Sequence, residues 1–139
     1  MSKKIFISTI AVVFFLMLSV SLPLTQGISY AEEEKFGGLG MSVAQIFDPD
    51  VENKMGSLVV LDVLEGTPAS ERGIQRGDVI TQIGGEPTKG KTFEHLILEK
   101  LRGKIGSKVD IVIERAGVKT PLNFTLTRVE ITYQPEQKG

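Results

Sequence analysis

His95 is the sole imidazole in the 139-residue chain, and cysteine is absent. Together these exclude zinc sites built on paired imidazoles or thiolates, cysteine nucleophiles and disulfide frameworks. No serine sits in a strand-to-helix nucleophile elbow, and no serine, histidine and carboxylate set can be grouped by spacing, so no catalysis by this chain is expected. Asp48, Asp50 and Glu52 alternate as in a calcium loop, but Lys54 and the missing sixth-position glycine break the pattern and favour an exposed acidic loop. No metal or other cofactor is called for.

What remains is the chemistry of the backbone. The stretch "FGGLGMSV" at 36–43 places three glycines within four positions, just ahead of an alternating apolar and polar segment. Glycine weakens a strand, so its concentration at a strand entrance needs a use. If Gly38 and Gly40 adopt φ values closed to other residues, the amides of Leu39, Gly40 and Met41 can converge on one anion as a nest. A flexible linker would lack the interleaved apolar residues. A phosphate loop would need a helix after it, and here a strand follows.

The elements that must hold such a loop can be read in order. Met41 to Phe47 alternates as a strand, with Met41, Val43 and Gln45 on one face. "SLVVLDVL" at 57–64 is a buried strand, nearly continuous in apolar residues. "TPASERG" at 67–73 gives a short helix, with Thr67 as cap, Pro68 at the first position and Gly73 past the end. Asp78 marks a turn, Val79 to Ile83 a strand, and Gly84-Gly85 another turn. The substantial helix is "TFEHLILEKLRG" at 92–103, capped by Thr92 and stopped by Gly103, with Glu94 early and Lys100 and Arg102 late to complement its dipole. Phe93, Leu96, Ile97, Leu98 and Leu101 spread too widely for one narrow core stripe, which leaves apolar surface for a second task. A hairpin through Ala116-Gly117 closes the domain, its second strand alternating through Leu122, Phe124 and Leu126. The expected fold is a small α+β domain, a partly open antiparallel β-sandwich or barrel of about five strands with two helices.

Ahead of this domain the chain differs in kind. Lys3 and Lys4 precede an uncharged run from Ile5 to Leu24, and small residues at Ser29 and Ala31 suit a signal peptidase. Residues 1–31 are read as a secretory signal, with a retained membrane anchor as the alternative, since about 20 apolar residues span a bilayer. The chain is therefore expected to be exported, periplasmic or extracellular, and associated with membrane only if 5–24 are retained. Removing residues 1–31 takes two lysines and no acid, leaving 14 basic against 17 acidic side chains, which is not the balance of a nucleic-acid binder. Residues 32–36 read as a linker, 37–131 as the domain and 132–139 as a polar tail.

"GLGM" at 38–41 resembles the carboxylate-binding loop of PDZ domains, and "GTPASERGIQRGDVITQIGGEP" at 66–87 resembles their short helix, Gly-Asp turn and following strand. With "LRGKIGSKVDIVIERAGVKTPLNFTLTRVEI" at 101–131, the chain is most similar to the PDZ domain of bacterial carboxyl-terminal processing peptidases. The resemblance implies capture of polypeptide C-termini or extended segments by strand addition. It implies a pocket floor of Leu39, Met41 and Val43, a loop shaped by Gly38 and Gly40, and an opposite wall of Leu98 and Leu101. Selection of the third residue from the ligand's end falls to Glu94 or His95, and Lys35 is the loose match to a basic residue ahead of the loop. The serine and lysine catalytic domain that follows in those peptidases is not expected in this chain, which runs eight residues past Ile131. The alternative function is the regulatory or substrate-presenting part of a split or truncated processing peptidase, with an envelope protease as partner.

Overall fold

The computed structural model describes residues 35–131. The expected signal segment, the acidic triplet Glu32 to Glu34 and the polar tail lie outside the described residues.

Eight strands and two short helical segments follow one another: β1 (Phe36–Gly38), β2 (Met41–Phe47), β3 (Met55–Val63), α1 (Pro68–Glu71), β4 (Val79–Ile83), β5 (Glu86–Pro87), α2 (Phe93–His95) running directly into a π-helical segment (Leu96–Leu101), β6 (Lys108–Glu114), β7 (Leu122–Thr127) and β8 (Val129–Ile131). The main sheet has the order β2-β3-β4-β6-β7, with β5 hooked onto β4, and β1 pairs with β8 as a separate ribbon. Every pairing is antiparallel. The sheet does not close, so β2 is an edge strand.

β-branched and leucine residues alternate inward along the central strands, and this builds the core. Leu58, Val60, Ile80, Ile83, Ile111, Ile113 and Leu126 are at most 1 % exposed. Ala69 and Leu96 cover them from the helical segments. β2 departs from strict alternation because its register with β3 shifts between Ser42 and Val43 and again between Gln45 and Phe47. Such bulges bend an edge strand and discourage unspecific pairing along its whole length.

Three local expectations are corrected. Thr67 stands at the N-cap of α1 but makes no side-chain cap bond. Its hydroxyl donates instead to the Leu64 carbonyl at 2.6 Å, tying the N-cap back to the end of the loop that precedes α1. The long helix is α-helical only through its first turn, where Thr92 accepts from the His95 amide. From Leu96 onward it widens, and the Arg102 amide reaches back five residues to the Ile97 carbonyl. Arg102 itself is already extended, and its guanidinium rests over the Phe36 ring at 4.1 Å rather than on the helix dipole. The cation at the helix end is Arg128, which donates from Nε to the Leu101 carbonyl (2.9 Å) and from Nη2 to the Lys100 carbonyl (2.7 Å). Arg128 is 9 % exposed and faces carbonyls rather than a carboxylate, and burial alone holds its pKa below the ordinary arginine value.

The Gly-Asp turn is tied down by charge. Asp78, 1 % exposed, accepts from Arg115 Nε and Nη2 at 2.9 Å each and from the Gln75 amide at 2.8 Å. Burial pushes the Asp78 carboxyl up, but the guanidinium and the amide outweigh it and hold the group below the usual carboxylate range. A depressed folded-state pKa gives stability that is present above the unfolded value and lost as pH falls through the folded one. Asp78→Ala should therefore cost about 2–3 kcal/mol in urea unfolding at neutral pH. The gap to the parent protein should narrow as pH drops below about 4; a gap independent of pH would remove the ion pair from the account.

Candidate functional site

Three glycines at the entrance of β2 serve three different needs. A Cβ on Gly37 would lie 2.6 Å from the Gly103 carbonyl oxygen, since β1 and Gly103 exchange two backbone hydrogen bonds, at 2.8 and 3.0 Å. A Cβ on Gly38 would lie 2.7 Å from Ile131 Cγ1. Gly38 is not in the left-handed region, so its expected backbone freedom is corrected: the requirement is room for β8. Only Gly40 takes a positive φ, +82°, and its Cα packs so closely on Thr67 that a Cβ would come within 2.1 Å of that side chain.

This packing decides where the amides point. In a planar trans peptide the carbonyl of one residue and the N–H of the next face opposite ways. The Leu39 carbonyl accepts from the Ala69 amide at 3.0 Å, and the Gly40 carbonyl accepts from the Leu64 amide at 2.8 Å, so both carbonyls are turned into the protein. The amides of Gly40 and Met41 consequently turn out, away from α1 and β3. The Leu64 to Gly40 bond also makes Met41 and Val63 a non-hydrogen-bonded pair, which sends the Met41 N–H to the open edge of β2. Gly37 directs its own groups to Gly103, so Gly38 faces Val129 in β8 and the Leu39 amide turns away from β8. Among the described residues, the amides of Leu39 and Gly40 donate to no backbone carbonyl.

Beside these amides runs a groove of about 380 Å³ between β2 and the helical segment. That volume falls within the range of ligand sites. Leu39, Met41 and Val43 form one side, and Phe93, Ile97 and Leu101 form the other. At the loop end Phe36, Arg102 and Ile131 join Gly38 and Gly40, with Leu64 close by. Two ties fix the walls: the Gly37 and Gly103 bridge at the loop end, and at the far end Gln45 Nε2, which donates to the carbonyls of Lys91 (2.7 Å) and Gly56 (3.1 Å).

Of the residues expected from sequence, Gly38, Leu39, Gly40, Met41, Val43 and Leu101 are brought together here, whereas Glu94, His95 and Leu98 do not line the groove. Leu98 is 50 % exposed. His95 points its ring nitrogens at Glu86 (3.4 Å from Nε2) and Glu99 (2.9 Å from Nδ1). Glu86 also holds Lys100 at 2.6 Å and Lys91 at 3.2 Å, and these cations, Lys100 first, pull its carboxyl down to about 2. Lys35 pairs with Glu130 at 3.1 Å, leaving Arg102 as the cation that lines the groove. Asp48 accepts from Lys89 and from the Asp50 amide.

Sequence reasoning missed Phe36, Ser42, Leu64, Phe93, Ile97, Arg102 and Ile131 as lining residues. The four-residue spacing of Phe93, Ile97 and Leu101 was the available signal for the wall. The loop geometry yields a stability test. Gly40→Ala should cost more than the roughly 1–2 kcal/mol of a left-handed alanine, because Thr67 adds a clash. Gly38→Ala should cost less, since the Ile131 side chain can rotate away. Urea midpoints of equal size for the two variants would contradict the assignment.

The PDZ domain family matches residues 59–115. The carboxy-terminal processing protease CtpB of Bacillus subtilis is 33 % identical over 99 residues, covering 71 % of this chain and 19 % of that protein. The carboxy-terminal-processing protease of Bartonella bacilliformis is 32 % identical over 94 residues, 68 % of this chain and 20 % of its own. This chain thus spans about a fifth of the length of these relatives. Among solved structures, the photosystem II D1 C-terminal processing protease superposes with a TM-score of 0.59 at 26 % identity, over 78 % of this chain and 27 % of that one. The HtrA-type protease AlgW with decapeptide shares the fold, with a TM-score of 0.56 at 24 % identity over 72 % of this chain and 31 % of that one. The edge strand, the inward-turned carbonyls and these matches lead to one assignment: the chain carries a PDZ domain related to the PDZ domain of the bacterial carboxyl-terminal processing peptidases.

Proposed function

We propose that this domain binds the C-terminal end of an extended polypeptide, which adds to the free edge of β2 while its carboxylate rests on the amides of Leu39, Gly40 and Met41. The observation that carries this reading is the pair of inward carbonyls at Leu39 and Gly40, because they leave outward N–H groups at the head of an unpaired strand. Hydrogen bonds to an ionised acceptor are the strong ones. Arg102 adds a positive charge at the same end of the groove. The apolar walls supply burial for the ligand's last side chain.

A second function, the regulatory or substrate-presenting part of a processing peptidase, draws its support from the fifth of the curated relatives that this chain matches. Export of the chain rests on the signal pattern at residues 1–31. Among the described residues no helix is long and apolar enough to cross a membrane.

Fluorescence anisotropy with a peptide library in paired free-acid and amidated forms tests the binding reading. Amidation should weaken the best ligands more than about tenfold, the loss of a charge-assisted hydrogen-bond set; equal affinities would remove the nest as carboxylate holder. Ile97→Lys should abolish binding by placing an ammonium in the groove, whereas Leu98→Lys should leave it within about twofold, since exposed substitutions away from a site are nearly neutral. The reverse ranking would show that the groove wall has been misassigned.

A further inference from the structure

We propose that β7, the sheet edge opposite β2, is a self-association site: a second copy of this chain pairs with it antiparallel, Phe124 facing its own copy across a two-fold axis. The order β2-β3-β4-β6-β7 leaves two edges, and they are built differently. β2 carries two register shifts and looks onto the groove. β7 meets β6 in an unbroken register of six pairs, from Lys108 and Thr127 to Ile113 and Leu122, and among the described residues no strand lies on its other side.

The hydrogen-bond pattern tells which groups of β7 are free. The Arg128 amide donates to the Ser107 carbonyl at 2.8 Å and continues the register by one pair, so Arg128 turns its backbone toward β6. Alternation along an antiparallel strand then turns Leu126, Phe124 and Leu122 the same way, and directs the N–H and C=O groups of Asn123, Thr125 and Thr127 to the open edge. The other side of β6 agrees with this phase: the Asp110 carbonyl accepts from the Gly84 amide at 2.7 Å, so Asp110, opposite Thr125, turns its backbone away from β7.

Natural edges are blunted by charges, proline or bulges. From Leu122 to Thr127 β7 has none of these; Pro121 stands just ahead of it, and Arg128, just after, turns its side chain to the Leu101 carbonyl. The order of side-chain types selects a second copy as the partner. Reading outward from Phe124, a polar residue stands on each side (Asn123, Thr125) and then a leucine on each side (Leu122, Leu126). Two such strands related by a two-fold axis place Leu122 opposite Leu126 and Asn123 opposite Thr125, with no like charges opposed. Asn123 and Thr125 are residues whose backbones face the edge, so they exchange hydrogen bonds across it, while the half-buried Phe124 and Leu122 lose further surface to water. The product is one continuous sheet with a β2 edge and its groove at either end, an arrangement that gives a ligand with two matching ends avidity.

A contact through one short strand is at the small end of interfaces, so the dimer is reversible and concentration-dependent. Sedimentation velocity over a concentration series, paired with a ¹H–¹⁵N dilution series, tests it. The Asn123, Thr125 and Thr127 amide signals should move together over the range in which dimer becomes monomer, while the β2 amides stay in place. Thr125→Pro, which removes an edge N–H without breaking a bond to β6, should raise the dissociation constant more than about tenfold. Thr125→Val, which keeps that N–H and the strand propensity, should leave it within about threefold. Should Thr125→Pro fail to fold, the dilution shifts decide alone. A chain that stays monomeric up to about 1 mM, or association that moves the β2 amides and leaves β7 in place, overturns the proposal. So does a folded Thr125→Pro with an unchanged dissociation constant. Edge amides protected from hydrogen exchange at the lowest concentration would overturn it too, by showing that a segment of the same chain covers β7.

Discussion

Two carbonyl oxygens organise the site. Those of Leu39 and Gly40 are drawn inward by the amides of Ala69 and Leu64, and the planarity of the peptide bond then leaves the neighbouring N–H groups no direction except outward. Nothing reactive is needed for such a site to function. It does need a backbone that stays in place before a ligand arrives, because amides that must be reoriented on binding lose the benefit of preorganisation. Gly40 meets that need twice, through its positive φ and through the absence of a Cβ against Thr67. The Thr67 hydroxyl, satisfied by the Leu64 carbonyl, closes the corner from the other side.

The groove depends on a second set of constraints, which hold the helical segment at a fixed distance from β2. Arg128 takes the carbonyls left open at the end of the π-helical turn, and Gly103 fits against its guanidinium with no room for a side chain. Gly103 in turn grips Gly37, one residue before the loop begins its change of direction. At the opposite end Gln45 spans from β2 to Lys91. Glu86, gathering Lys91, His95 and Lys100, fastens the outer flank of the helix to β5. The wall facing the groove is thereby left apolar and the charges are kept on its far side.

Much of this was legible in the chain because its causes are local. The alternation from Met41 to Phe47, the buried run that becomes β3, the Thr92 cap and the glycine turns each follow from residues within a few positions of one another. The end of the helix was not legible, since the cation that caps it, Arg128, lies 27 residues beyond Leu101. β1 and β8 carry too few residues to show a period, and their pairing is a long-range event. The glycine cluster announced a special loop, but only the fold reveals that Gly37 and Gly38 are there for close approach and Gly40 for its torsion angle. Arg102 reads in sequence as a helix-end charge, and only the tertiary structure carries it onto Phe36.

Three amide groups carry the site, and each can be followed directly. In a ¹H–¹⁵N correlation titration with a free-acid hexapeptide ending Val-Ser-Val, the Leu39, Gly40 and Met41 amide protons should move downfield together, as N–H groups do on donating to a carboxylate. Amides of β2 should follow them, and the Leu64 and Ala69 amides, already bonded inside the protein, should move least. Saturating shifts elsewhere with those three amides left in place would contradict the account.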